Sequence, residues 1–195
     1  MKSSFSTTNH YTHLSINKRQ IKLDSTIKPF DCGDDDLNDF LLSKAAVYRN
    51  ALLATTFVIE NETETLAYFS ILNDSLKLNV ELFNSKSAFK RFIKQFVSHA
   101  ISHIKNFPAL KIGRLAINKK YQGHGLGKLI IDMIIADVIN LNDQQACKLI
   151  TIDAYRKSLL FYEKVGFKYI NNNDENKDTR QMYLDISQIK NDNQF

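Results

Sequence analysis

The chain has 195 residues, 44% of them hydrophobic and 24% charged, with a formal net charge of +5 and a pI near 9.1. This is the balance of one soluble globular domain over 1–195, with residues 1–12 expected to be loose. No window approaches the roughly 18 apolar residues of a membrane span, and the opening MKSSFSTTNHYTHL lacks the apolar centre of a secretory signal, so a cytoplasmic protein is expected. The two cysteines, Cys32 and Cys147, have neither CxxC nor zinc-ligand spacing, which argues against a disulfide framework and a zinc site.

Leu14 to Leu23 alternates weakly and predicts a strand. In FDCGDDDLNDFLLSKAAVYRN, Asp34 is placed to cap a helix whose first turn carries Asp35 and Asp36 at the positive end of the dipole. Leu37, Phe40, Leu41, Ala45 and Tyr48 form its apolar face, so a helix is predicted from about Asp35 to Asn50. LLATTFVIE and TLAYFSIL, joined by NETE, read as a hairpin of antiparallel strands. Between Ser87 and Asn106 apolar residues fall at 89, 92, 93, 96, 97, 100, 101 and 104, which predicts an amphipathic helical insertion at about 87–106. His99 and His103 lie four apart on it, but no third ligand stands near them in sequence, and no metal site is predicted. ALKIGRLAIN then reads as a strand, and LIIDMIIADVI as a helix reaching about Leu141. That helix is apolar nearly all round and is expected to be sandwiched. KLITIDA is a buried strand, YRKSLLFYEKVG a helix stopped by Gly166, and FKYI and RQMYLDI two closing strands around the polar link NNNDENKDT. The order of elements gives an α/β fold with a mixed sheet.

Charge is uneven along this order. From Val80 to Lys120 there are nine Lys or Arg, at 86, 90, 91, 94, 105, 111, 114, 119 and 120, against the single acid Glu81. A solvated helix face accounts for such a run, and so does a surface for an anionic partner such as RNA.

YQGHGLGK, from Tyr121 to Lys128, places glycines at 123, 125 and 127 between a strand and a helix. Free N–H groups of such a loop, with the positive end of the helix dipole behind them, suit an anion, and phosphate is the default. It is not a Walker A loop, since Gln122 stands where the first glycine belongs and Leu129 where Ser or Thr belongs. Nor is it a dinucleotide fingerprint, since the sixth position is Lys128. A glycine-rich turn into a buried helix uses the same letters, and the loop alone does not choose between the two.

The run Gln122, Gly123, His124, Gly125, Leu126, Gly127 resembles the acetyl-CoA signature of the GCN5-related N-acetyltransferase (GNAT) family. FYEKVGF, from Phe161 to Phe167 and about 35 residues on, resembles the same family's helix and turn that join a tyrosine to Gly-Phe. The resemblance implies a GNAT fold, a central mixed, mostly antiparallel sheet flanked by helices, with acetyl-CoA as cosubstrate. It implies that backbone groups of Leu115, Ala116 and Ile117 bind the pantetheine arm and that N–H groups from Gln122 to Lys128 cradle the pyrophosphate. It also implies that Tyr162 sits by the thioester sulfur and protonates the departing thiolate. A phenol of ordinary pKa near 10 is protonated at neutral pH and can serve as that acid. Many members carry Asn where Tyr155 stands here, so the family's cofactor contact from that side chain does not carry over to this chain by resemblance.

Within the family the chain looks most like the acetyltransferase toxins of bacterial toxin and antitoxin pairs. FDCG followed by DDLNDFL, GRLAINKKYQGHGLG and IDAYRKSLLFYEKVGF carry that resemblance. It implies acetylation of the α-amine of aminoacyl-tRNA, an antitoxin protein as partner and a homodimer. Lys90, Arg91, Lys94 and Arg114 are the corresponding candidates for contacts to the RNA. The competing readings are a transferase acting on a protein or small-molecule amine, and a non-catalytic module that binds acyl-CoA or RNA.

Overall fold

In the computed structural model, which describes residues 16–97, 103–171 and 177–192, the first element is strand β1 (Asn17–Gln20). It pairs antiparallel with β2 (Thr55–Glu60), in register from Asn17↔Glu60 to Gln20↔Phe57. Of the strand expected at Leu14 to Leu23, Leu14 and Ser15 lie outside the described residues, and the described part pairs only over Asn17–Gln20. Between them the helix predicted from Asp35 to Asn50 forms as α1 (Asp35–Asp39) and α2 (Ala45–Asn50), separated by a π-helical turn at Phe40–Lys44. Asp34 caps it as its position requires, its Oδ1 accepting from Leu37 N at 3.3 Å. In the π turn the Ala45 N–H reaches back five residues to Phe40 O. The wider turn lets Phe40, Leu41 and Ala45 all enter the core, while Tyr48, expected on that face, stays 37% exposed.

The hairpin continues as β3 (Thr65–Lys77), longer than expected. Ser85 then caps α3 (Lys86–Ile93), with Oγ accepting from Ala88 N at 3.1 Å. Of the insertion expected at about 87–106, the described residues are helical as α3 only to Ile93 and are in strand β4 (Asn106–Ile117) from Asn106, while residues 98–102 lie outside the described residues. After Lys94 two bonds tighten to three residues, Gln95 N to Phe92 O and Phe96 N to Ile93 O, before Val97 N returns to a four-residue bond with Ile93 O. The turn tucks Phe96 among Phe92, Phe107 and Tyr183, whose ring centres lie 5.0–5.3 Å from its own. Phe96, with Val97 and Ile104 packed against the same cluster, is thus apolar for the core it joins beyond the end of α3. His99 lies outside the described residues. Pro108 precedes the register with the next strand, which starts at Ala109, so its missing N–H interrupts no bond of that ladder.

The remaining elements are α4 (Leu126–Leu141), β5 (Leu149–Tyr155), α5 (Leu159–Lys164), β6 (Lys168–Tyr169), β7 (Thr179–Asp185) and α6 (Ile186–Asp192). Helix α4 is not sandwiched. It buries one stripe, Leu126, Ile130, Ile131, Ile134 and Val138, and exposes Lys128, Asp132 and Asp137. Helix α6 follows a cap that the sequence pattern does not signal, in which Asp185 Oδ1 accepts from Ser187 N at 3.0 Å.

The hydrogen-bonded strand order is β1-β2-β3-β4-β5-β7-β6, one seven-stranded sheet. Strands β4 and β5 run parallel from Ala109↔Leu149 to Ile112↔Ile152, whereas β5–β7 and β6–β7 are antiparallel like β1–β2. This is the mixed, mostly antiparallel α/β architecture expected. The described residues of Met1–Ser70 with Arg114–Gly127 form one compact unit, and those of Ile71–Gly113 with Lys128–Phe195 a second. The first unit's core is Ile21, Phe40, Leu41, Ala45, Val58 and Tyr68, joined by Ala116 from β4. Aromatic and aliphatic residues of α3, β4, β5 and β7 build the second. Among the described residues no helix is long and apolar enough to cross a membrane.

Candidate active site

In the first unit the end of β4 leads through a short turn, Lys119–Tyr121, into the glycine loop. Asn118, itself buried, starts that turn. Its side-chain oxygen accepts from Lys120 N, its amide nitrogen donates to Thr65 O, and its backbone N–H donates to Leu66 O at 2.8 Å. Gln122 holds the loop's first residue in place, with Nε2 donating at 2.9 Å both to Ile117 O and to Cys32 O. The loop is therefore tied to the end of its own strand and to the turn of FDCG, two sequence features that had no evident connection. Gly123 and Gly125 take φ of +78° and +86°, the left-handed region that L side chains avoid, and nothing lies within 4 Å of where either Cβ would stand. Gly127 does not share that conformation and belongs to the first turn of α4. Of the proposed pantetheine residues, Ala116 is buried in the first core, Leu115 and Ile117 are half-buried, and the described β4–β5 register has already ended at Ile112.

Asp31 braces the other side of the FDCG turn. Its carboxylate accepts from Gly33 N at 2.8 Å, from Asn38 Nδ2 at 3.0 Å and from Lys119 Nζ, while its carbonyl takes Lys119 N at 2.9 Å. Lys119 first, then Gly33 and Asn38, lower its pKa from an ordinary 3.8 to about 2. A carboxylate depressed on folding stabilises above its unfolded pKa and loses that contribution as pH falls through the folded one. The gap in melting temperature between the wild type and Asp31→Asn is accordingly expected to be full above about pH 4 and to close towards pH 2. Thermal melts at several pH values check it, and a gap unchanged down to pH 2 would remove Asp31 from this role.

Three lysines beside the loop are already paired: Lys119 with Asp31, Lys120 with Glu64 at 2.8 Å, and Lys128 with Asp132 at 2.6 Å. Glu64 also accepts from Tyr121 Oη at 2.9 Å. What the loop offers an anion is thus backbone N–H and helix dipole more than free ammonium groups. Arg114, in the same unit, lies with its guanidinium 4.0 Å from the centre of the Phe40 ring.

In the second unit Tyr162 lies on α5 and is only 5% exposed. Phe161 and Phe167 meet its ring edge-on at 4.9 and 5.5 Å, and its carbonyl accepts from Phe167 N where Gly166, at φ +96°, turns the chain. Burial pushes the phenol well above its ordinary pKa of 10. Its hydroxyl has no hydrogen-bond partner among the described residues, yet none of their fully buried side-chain oxygens or nitrogens lacks one. The ring is packed away while the oxygen reaches the surface. Lys90, Arg91 and Lys94 belong to this unit too; all three are exposed on or at the end of α3, and none forms an ion pair among the described residues. Tyr155, at the position where the family often has Asn, is 41% exposed with Lys157 Nζ 5.7 Å from its ring centre.

The family model described as "Acetyltransferase (GNAT) domain" matches residues 58–183, well over half of the chain and spanning both the glycine loop and Tyr162. The chain belongs to the GNAT family. A curated relative, glucosamine 6-phosphate N-acetyltransferase of Trypanosoma brucei brucei, is 31% identical over 87 residues, 45% of this chain and 46% of that protein. The match thus spans just under half the length of that relative. Among solved structures, AtaT complexed with acetyl-methionyl-tRNAfMet superposes with a TM-score of 0.71 at 19% identity, covering 90% of this chain and 98% of that one. A point variant of the toxin AtaT, bound to the C-terminus of the antitoxin AtaR and acetyl-CoA, gives 0.68 at 18% identity, covering 92% and 99%. At such identities these neighbours bear on the fold, which is the GNAT fold.

Sequence reasoning finds the glycine loop, the tyrosine and the basic helix of this GNAT chain, but not the residues that hold the loop. The Gln122 side chain is among them, spent on two carbonyls, which leaves its backbone N–H as its group for the cosubstrate. Asn118, Asp31 and Glu64 carry one local signal only, the FDCG turn, whose Gly33 at φ +80° and Asn38 bonds shape the carbonyl that Gln122 reaches.

Proposed function

We propose that the chain is an acetyl-CoA-dependent N-acetyltransferase whose acceptor is the α-amine of an aminoacyl-tRNA. The observation that carries the chemistry is Tyr162, a buried phenol held in its protonated form with a hydroxyl left without a protein partner among the described residues. In this reading the loop from Gln122 to Lys128 takes the cosubstrate's pyrophosphate, and Leu115, Ala116 and Ile117 take the pantetheine arm through the backbone. The amine nitrogen adds to the thioester carbonyl, and backbone N–H near Ile117 stabilises the oxyanion. The N–H of Asn118 is not available for that, since it donates to Leu66 O. As the carbon–sulfur bond breaks, Tyr162 Oη gives its proton to the thiolate, while the amine's own proton leaves to water. An aminoacyl ester amine has a low enough pKa to attack as the neutral species without a strong base.

The choice of RNA as acceptor rests on charge. Of the basic segment, Lys111, Lys119 and Lys120 are paired with Asp153, Asp31 and Glu64, so the uncompensated part is concentrated on α3, at Lys90, Arg91 and Lys94. Arg114, its guanidinium 4.0 Å from the centre of the Phe40 ring, is a candidate for a further phosphate. The AtaT neighbours support an antitoxin partner in the same way, by fold; a homodimer and a cytoplasmic location belong to the same reading.

Transfer of labelled acetyl from acetyl-CoA in a bacterial extract, fractionated into RNA, protein and small molecules, tests it. Label in RNA that mild alkali releases as an acetyl-amino acid is expected. Label confined to protein or to a phosphorylated amino sugar, the acceptor class of the trypanosomal relative, would reject tRNA and keep the transferase. No free thiol with any acceptor would leave only a binding module.

A further inference from the structure

In the second unit the register of β4, β5 and β7 sorts side chains onto the two faces of the sheet. Lys111 is the partner of Thr151, and Thr151 of Tyr183, so these three share one face with Asp153. Ile150, Ile152, Ala154, Arg180, Met182 and Leu184 share the other face, and all six are buried. The turn that closes α5, the helix of Tyr162, packs on that covered side: a Cβ on Gly166 would stand 3.3 Å from Leu184 Cδ1. The first face is different. Phe92 of α3 and Phe96 cover it where they meet Tyr183. Toward the carboxyl ends of β4 and β5 it opens, with Lys111 half-buried and the Asp153 side chain 45% exposed.

Asp74 of β3 is the carboxylate of this open face that lacks a cation. Its Oδ2 accepts from Thr151 Oγ1 at 2.8 Å, across β4, and its Oδ1 accepts from Ser75 N at 2.8 Å. Thr151 is fully buried, so this bond places Asp74 on the Thr151 face and fixes its carboxylate there. The neighbouring acid, Asp153, is neutralised by Lys111 Nζ at 2.6 Å, whereas Asp74 forms no ion pair among the described residues. Aspartate is disfavoured inside a strand, and a half-buried carboxylate without a counter-charge is costly. Residues that break local rules in this way are concentrated at functional sites.

We propose that the acceptor enters over this open face and that Asp74 is the catalytic residue that receives its amine. Ligands of open α/β sheets bind outside the carboxyl ends of the parallel strands, and here the opposite face is closed. As the amine nitrogen forms its bond to the thioester carbon it becomes cationic, and its N–H becomes acidic enough for a carboxylate to take. Asp74 accepts that proton and passes it to water, while the carbon–sulfur bond breaks and the thiolate takes the proton of Tyr162, which water restores. The fixed negative charge thus stands ready for the positive charge that develops on nitrogen. The proposal deepens the acetyl transfer described above and rests on an amine as acceptor, not on RNA.

Thiol release from acetyl-CoA with two small acceptors, corrected for the rate without enzyme, tests it on the full chain. Alanine methyl ester carries the α-amine of an amino-acid ester, and hydroxylamine is a nucleophile whose nitrogen gives up its proton to water readily. Asp74→Asn, which keeps the size of the side chain and an acceptor for Thr151, should lower kcat/KM for the methyl ester about a hundredfold and that for hydroxylamine less than about threefold. Thr151→Val, which frees Asp74 Oδ2, should slow the methyl ester several-fold and spare hydroxylamine. Asp153→Asn, on the same face but already paired, should change neither rate by more than about threefold. Equal loss of both reactions in Asp74→Asn would make Asp74 structural and overturn the proposal. So would an unchanged methyl ester rate, or a wild type that turns over neither acceptor. Asp74-dependent turnover of the methyl ester without acetyl label in aminoacyl-tRNA would keep Asp74 and reject the RNA acceptor. Label in aminoacyl-tRNA that Asp74→Asn leaves at the wild-type rate would do the reverse.

Discussion

Tyr162→Phe is expected to lower kcat by roughly two to four orders of magnitude, the usual contribution of a positioned general acid, with the KM for acetyl-CoA within about twofold of wild type. The substitution is clean because of how the residue is held. Its ring packs edge-on against Phe161 and Phe167, contacts a phenylalanine keeps, and its hydroxyl has no partner among the described residues to be stranded by the loss. Folding should be nearly untouched and the whole effect should fall on turnover. The pH profile separates this role further. Burial moves the phenol above its ordinary value of 10, so the acid stays protonated through neutral pH and the wild-type kcat should show no alkaline fall below about pH 10. A thiolate leaving beside the same apolar ring is also poorly solvated and hence more basic, which keeps the proton transfer favourable despite the weaker acid. Release of free thiol, followed with each enzyme from pH 6 to 10, measures both quantities, and a Tyr162→Phe enzyme with full turnover would sink the assignment.

The parts of this site that are legible in the sequence are those whose signal is local. Glycines at alternating positions before an apolar helix announce positive φ and a dipole, and two of the three adopt it. A tyrosine one turn from Gly-Phe announces its own packing. The bracing by the Gln122 side chain is not legible because its partners are carbonyls, one of them ninety residues away, and a carbonyl leaves no trace in the letters. Periodicity overruns in a different manner just past Ile93, the last residue of α3. It counts apolar residues without asking what they pack on, and Phe96 is buried by rings from β4 and β7, not by continuing the helix. The π turn at Phe40–Lys44 is invisible for a related reason, since apolar residues at 37, 40, 41 and 45 fit an α-helical stripe about as well as the wider turn. Helix α6 escapes because its cap, Asp185, is also the last residue of β7, and one letter reads for one element only.

Gly125→Val is the second large effect expected, and it tests what the loop is for. At φ +86° a β-branched residue is strained, and nothing lies within 4 Å of the new Cβ, so backbone strain alone should cost roughly 1–3 kcal/mol of stability. The functional cost is separate. A branched side chain on a loop that binds a pyrophosphate through its N–H groups prevents close approach, and the KM for acetyl-CoA should rise more than tenfold while kcat at saturation changes little. Gly127→Ala divides the two effects. Gly127 is helical, so alanine there should stabilise α4 by up to about 1 kcal/mol through propensity. If the KM rises in this more stable variant too, the cause is steric exclusion of the cosubstrate and not strain. Urea melts and thiol-release kinetics on both variants decide it. A Gly125→Val enzyme that loses stability but keeps the wild-type KM would show that the glycines serve only the turn into α4, and the pyrophosphate would have to be held elsewhere.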